Sequence, residues 1–171
     1  MAQSVGGGVQ GKVYSLYAAN DNERLYVGGS FNMVDGQLPA NNIAYVTENE
    51  TAFTWHALGA GVNGAVNAIK EFDGKLFVAG HFTEAGDQVA NNVAYWDGTA
   101  WHDAGCTYGT IYDLIVYKGE LYASGDFDVC AALSEVNFAK WTGTMWQQIP
   151  GLEGAVNTME VVGENLYLGG N

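Results

Sequence analysis

The chain has 171 residues, with 24 glycines, two prolines and two cysteines. Six basic residues stand against nineteen acidic ones, a net charge of −13, so the clustered cations that nucleic acid or an anionic membrane requires are not expected. No apolar run approaches the ~18 residues of a membrane span, and the opening "MAQSVGGGVQ" has neither the basic nor the apolar region of a signal peptide.

In chain order the dominant signal is repetition. Residues 1–12 read as the remnant of a last strand, because "SVGGGVQGKV" aligns with "ALGAGVNGAV" one repeat later. Repeats then run over about 13–65, 66–110 and 111–155, with a partial copy over 156–171. Leu25, Leu76, Leu121 and Leu166 open an apolar run that Gly29, Gly80, Gly125 and Gly170 close. Asn42, Asn92 and Asn137 anchor "NNIAY", "NNVAYW" and "VNFAKW", and Trp55, Trp101 and Trp146 follow in register. The later period is 45 residues, Leu76 to Leu121 to Leu166.

Each repeat holds four short apolar or aromatic runs, too short for helices. X-Gly pairs such as Asp73-Gly74 and Lys118-Gly119 stand where two strands must reverse. The second repeat reads as strand A near "VNAIKEF", B in "KLFVAGHF", C in "NVAYW" and D in "AWHDAG". Four antiparallel strands per unit of this length are the signature of a propeller blade. The expected fold is an all-β propeller, with three complete blades and strands A and B of a fourth. The repeated glycines, asparagines and tryptophans are expected to serve structure, the asparagines by bonding turn backbone and the tryptophans by wedging blades apart. An unfinished blade leaves an open edge. A small ring closed by the N-terminal strand, a larger ring made by two chains, and a piece of a longer propeller all stay open, with self-association into a dimer favoured.

Two features carry a resemblance. The run "LFVAG", followed by Tyr95 and then Trp101 six residues on, resembles the kelch motif. The wider "LYVGGSF" and "NNIAY" pattern resembles propeller repeats of large bacterial and fungal surface proteins, including fungal cortical polarity markers. The likeness covers nearly the whole chain. It departs at Ala79-Gly80 and Ser124-Gly125, where the glycine pair is broken, and at Lys140, which stands in the tyrosine position. The resemblance implies an extracellular or cell-surface module. It also implies that the B–C loops (32–41, 83–91, 128–136) and D–A loops (59–65, 105–110, 150–155) share the ligand face.

That face would carry Asp35, His81, Glu84, Asp87, Tyr108, Asp126, Asp128 and Glu135. His81 shares its repeat position with Ser30 and Asp126, and a position that varies inside a fixed frame is where a scaffold can place a ligand contact. His56 and His102 recur directly after a tryptophan and read as solvent-facing strand residues. The leading reading is a non-enzymatic recognition or scaffold module for a protein or glycan. The alternatives are a carbohydrate-active enzyme or accessory domain using Asp126, Asp128, Glu84 and Asp35, whose carboxylates would need a defined separation, and a purely structural assembly repeat. No nucleotide, calcium or other metal motif is present, and no cofactor is expected. Cys106 and Cys130 flank strands A and B of the third repeat, so either a disulfide or two free thiols would fit there.

Overall fold

The computed structural model describes residues 7–49, 52–130, 136–152 and 154–171. Strands β1 (Val9–Ala18), β2 (Arg24–Val34), β3 (Leu38–Pro39), β4 (Ile43–Glu48) and β5 (Phe53–Ala57) form the first sheet, in the order β1-β2-β4-β5 with β3 against β2. In the second repeat, β6 (Ala65–Phe72), β7 (Lys75–His81), β10 (Val93–Trp96) and β11 (Trp101–Asp103) make a four-stranded sheet, while β8 (Glu84–Ala85) and β9 (Gln88–Val89) pair separately. The third sheet is β12 (Thr107–Tyr117), β13 (Glu120–Val129), β14 (Phe138–Trp141) and β15 (Trp146–Gln148). Last come β16 (Val156–Val162) and β17 (Asn165–Gly170), paired with each other. All ladders are antiparallel. No described helix is long and apolar enough to cross a membrane.

The repeated residues explain this geometry. Asp73-Gly74 and Lys118-Gly119 take positive φ at both positions, as a tight hairpin between twisted strands demands. Gly29, Gly80, Gly125 and Gly170 pair with Val13, Val66, Ile111 and Val156, and in every repeat the register shifts directly after that pair. A Cβ on these glycines would fall onto the carbonyl oxygens of Lys12, Ala65, Thr110 and Ala155. The recurring glycine therefore admits a close backbone approach at a bulge in strand A.

Two expectations are corrected. Val9 to Lys12, expected in the remnant of a final strand, pair with β2 and open β1 instead. The B–C connections of the first two repeats are not plain loops, because Leu38–Pro39 and the β8–β9 pair add short ladders there. β17 has β16 as its one strand partner among the described residues, and no described residue of β1 closes onto it.

The core follows the order of the sheets. One apolar cluster joins Ile43, Leu58, Val66, Val78 and Trp101 of the first two repeats, and another joins Phe77, Val93, Ile111, Leu121 and Trp146 of the second and third. A smaller one places Tyr122 and Phe138 with Val156 and Met159 of the last hairpin. Strand A of each repeat packs on strand A of the next, from β1 to β6, β12 and β16.

Candidate functional site

The Trp101 indole N–H donates to the Leu58 carbonyl and the Trp146 N–H to the Ala104 carbonyl, both at 2.8 Å. Each buried tryptophan thus bonds to the connection leaving the preceding repeat. Trp55 packs partly buried against the outer cluster of the first sheet. Asn42, Asn92 and Asn137 all adopt positive φ, and their carbonyls accept from Gly29, Gly80 and Gly125. Asn42 Nδ2 donates to the Val62 carbonyl at 2.7 Å and Asn92 Nδ2 to the Thr107 carbonyl at 3.3 Å. The asparagines do bond backbone, and for these two that backbone leads into the next repeat.

The repeat-variable candidates separate into groups. His81 Nδ1 lies 3.4 Å from both the Gly109 carbonyl and the Thr110 hydroxyl of β12. Thr110 pairs across the ladder with Asp126, and Tyr108 pairs with Asp128 two residues further out. His81, Thr110, Asp126, Tyr108 and Asp128 thereby form one row across the second and third sheets. Tyr108, expected in a loop, lies in β12 and is 61% exposed. Asp128 accepts from the Val136 N–H at 3.1 Å, which ties down its own B–C connection.

Asp35 stands apart from this row. It has φ 53°, accepts the Gly7 N–H at 2.9 Å, and lines a separate 420 Å³ cavity with Leu38 and Trp55. Glu84 lies in β8, where its N–H donates to Asn63 Oδ1 at 3.0 Å. Asp87 is in the turn between β8 and β9, and Glu135 lies outside the described residues. Ser30, the counterpart of His81 in the first repeat, lines a 550 Å³ groove with Gln10, Asn32, Asn41, Asn42 and Asn63.

Cys106 and Cys130 form a disulfide, with Cα atoms 5.3 Å apart. The Cys130 N–H also donates to the Cys106 carbonyl at 3.0 Å, so the bridge closes the β12–β13 ladder where this row stands. His56 and His102 are partly buried rather than simply solvated: they stack on Tyr45 and Tyr95, with centroids 4.5 Å and 4.9 Å apart. His102 Nε2 lies 2.7 Å from Asp97 Oδ2. The Ala100 and Thr99 N–H groups, then His102, hold the Asp97 carboxyl well below its usual value.

A cavity larger than those beside Asp35 and Ser30 lies elsewhere, at the A–B and C–D turns. It has a volume of about 750 Å³, and Arg24, Lys70 and Lys75 line it with Tyr17, Asn20, Asp21, Asp73 and Trp96. Arg24 bonds Asp21 at 2.6 Å, and the Asn20 N–H donates to Glu71 Oε2 at 2.8 Å, joining the first two repeats. The Glu23 N–H, then Arg24, lowers the Asp21 carboxyl. Sequence reasoning missed this cavity, although half of the chain's basic residues sit at or near its A–B turns.

Between the third sheet and the last hairpin, Asp113 Oδ2 accepts from Met159 N–H at 2.7 Å. Burial pushes this carboxyl up despite that bond. Burial and the Glu120 carboxylate also push the Tyr122 hydroxyl up to about 12. Asp113 thus ties the third sheet to the last hairpin, whereas the Tyr122 hydroxyl donates to Glu120 Oε2 within β13.

A family model described as a β-propeller domain of unknown function (DUF5122) matches residues 73–94, from the A–B turn of the second repeat into its strand C. No curated protein matches the chain.

Proposed function

We propose that the chain is a kelch-like β-propeller module that recognises a protein or glycan through its B–C and D–A face and catalyses no reaction. One observation carries this reading. The residues shared by the repeats are consumed in holding strands and sheets together, while the differing residues Ser30, His81 and Asp126 leave the same strand position. Ser30 opens on a groove rich in asparagine, whose amides suit the hydroxyls of a neutral sugar or the backbone of an extended peptide. Gln10 and Asn32 side chains make no hydrogen bond within the described protein and remain available to such a ligand. The disulfide favours an extracellular or cell-surface setting, since such bridges persist in oxidising compartments.

Self-association belongs to the same proposal. Val13, Tyr14 and Leu16 on β1, and Val162, Tyr167 and Leu168 on the last hairpin, are exposed apolar side chains that a second copy would cover. The test is a glycan and peptide binding screen on the whole chain, followed by titrations of Asp126→Ala and His81→Ala. A loss of affinity of at least about tenfold in either variant, with unchanged circular dichroism, is expected for a contact residue. Unchanged affinity in both variants would remove the face assignment. Light scattering over a range of concentrations should give twice the chain mass, and a monomer throughout would remove the dimer.

A further inference from the structure

Strand A carries a matching pair of apolar side chains in every repeat: Val13 and Leu16, Val66 and Ile69, Ile111 and Leu114, Val156 and Met159. In the last three repeats both members are buried, with Ile69, Leu114 and Met159 at 4%, 4% and 5% exposure. In β1, Val13 is 43% exposed and Leu16 63%. The repeat position is the same, so the difference lies in what stands against it.

The cover comes from strand B of the preceding repeat. Tyr26 shares an apolar cluster with Val66 and Ile69, Phe77 with Ile111 and Leu114, and Tyr122 with Val156 and Met159. Two residues past that aromatic the chain keeps a small residue, as Gly28, Ala79, Ser124 and Gly169. A Cβ on Gly28 would stand 2.6 Å from Val66 Cγ1, so the incoming valine fills the space that the glycine leaves. In the last hairpin this surface has no occupant among the described residues. Tyr167, the counterpart of Tyr26, Phe77 and Tyr122, is 56% exposed, and a Cβ on Gly169 would meet only Thr158 of the same hairpin. One interface is thus built three times within the chain, and its two halves stand uncovered at opposite ends of the row of sheets.

We infer that Tyr167 and Gly169 of one copy receive Val13 and Leu16 of a second copy, joining the chains head to tail through a fourth example of this interface. The inference rests on the self-association already proposed and states which surfaces meet. A second copy is the occupant that the repeats specify, because it carries the complementary half. The internal interface also supplies a polar contact. Asn67 Nδ2 donates to the Ile111 carbonyl at 2.9 Å. Asn157, the exposed counterpart of Asn67 in the last hairpin, would donate likewise to the Val13 carbonyl of the second copy. Two copies that pair in this way at both ends form a closed dimer with two equal junctions.

The test uses two variants of the whole chain, Leu16→Asp and Tyr167→Asp, alone and mixed, with mass read by light scattering. Both side chains are exposed in the single chain, so each variant should keep the native circular dichroism. A carboxylate buried in the junction without a partner should weaken self-association at least about hundredfold in either variant alone. An equimolar mixture retains one native junction, between Tyr167 of the Leu16→Asp chain and Leu16 of the Tyr167→Asp chain. It should therefore give a higher mass than either variant at the same total concentration. Loss in only one variant would mean that like ends pair, and retention in both would place the contact elsewhere. Either result overturns the junction, as does a mixture no heavier than its parts. A native chain that is monomeric throughout removes self-association itself, whereas these results with a dimeric native chain remove the junction alone. Val13→Asp with Gly169→Asp repeats the design should a variant of the first pair alter the circular dichroism.

Discussion

β13 and β17 begin alike, as "LYASG" and "LYLGG", yet they live in different surroundings. In β13, Leu121 is fully buried and Tyr122 is 9% exposed; in β17, Tyr167 is 56% exposed and Leu168 37%. The difference comes from neighbours. β13 has β12 on one side and β14 on the other, and its sheet lies between two apolar clusters. β17 has only β16 among the described residues. The motif makes a strand in both places, and burial is conferred by what pairs with and packs on that strand. The same contrast leaves Val13, Tyr14 and Leu16 exposed at one end of the row of sheets and Val162, Tyr167 and Leu168 exposed at the other, with polar cross-bonds between the sheets inside it.

The most direct way to break this comparison is a pair of truncations at one repeat position. Leu121→Ala should destabilise the chain by about 2–5 kcal/mol, the cost of emptying a fully buried leucine site. Leu166→Ala, at a partly buried position in β17, should cost less than about 1 kcal/mol. Urea midpoints measure both, and equal losses would mean that β17 is as enclosed as β13.

The disulfide sharpens the contrast between the second and third sheets. Cys106 and Cys130 are 24 residues apart, and a closed loop of that size stabilises by about 3 kcal/mol in the chain-entropy account. Reduction, or the Cys106→Ser, Cys130→Ser double variant, should lower the urea midpoint accordingly. Hydrogen exchange should quicken first at Thr107 to Gly109, next to the bridge, while the β6–β7 amides hold their protection. Uniform loss of protection would instead make the bridge a support for the whole row of sheets.

These strands were legible because their signals repeat: an apolar run, a glycine, an asparagine and a tryptophan at matching intervals. What those residues touch was less legible. Spacing marks Asn92 as a turn residue, and nothing in spacing says that its amide reaches Thr107 at the start of the third sheet. Repeat alignment puts Tyr108 in the 105–110 loop, whereas Tyr108 and Gly109, the latter at φ 97°, lie within β12. The β8–β9 ladder has two residues per strand, too few for alternation to register. In the candidate row, repeat alignment singled out His81 and Asp126, but their junction through Thr110 needs two sheets packed together. Lys70 and Lys75 did carry a signal, as cations that vary at fixed repeat positions. Spacing does not show that the A–B turns of two repeats share a cavity.

Ser124 tests the comparison at a finer scale. It occupies the place of Ala79 in the second sheet and is fully buried, and its hydroxyl has no hydrogen-bond partner among the described residues. A buried hydroxyl left unpaired costs about 1–3 kcal/mol. Ser124→Ala, which reproduces the second repeat, should therefore stabilise the chain by about 1 kcal/mol and raise the urea midpoint. A fall in stability would show that the hydroxyl is bonded in solution.

The smallest effect belongs to Asp97, in the β10–β11 turn. Its carboxylate accepts from the Thr99 and Ala100 N–H groups at 2.8 Å and lies against His102, and these contacts favour the ionised form. The folded value is thus lower than that of the unfolded chain, which is about 3.9. Such a group contributes stability that is present above the unfolded value and lost as pH falls through the folded one. The stability difference between the native chain and Asp97→Asn should therefore shrink as pH drops below about 4, where the free carboxylate begins to protonate. Asp113, raised by burial, acts in the opposite direction, favouring the fold as it protonates, but it is common to both proteins and cancels in that difference. A difference that widens toward acid would mean that Asp97 is held protonated in the folded turn, contrary to its two backbone donors.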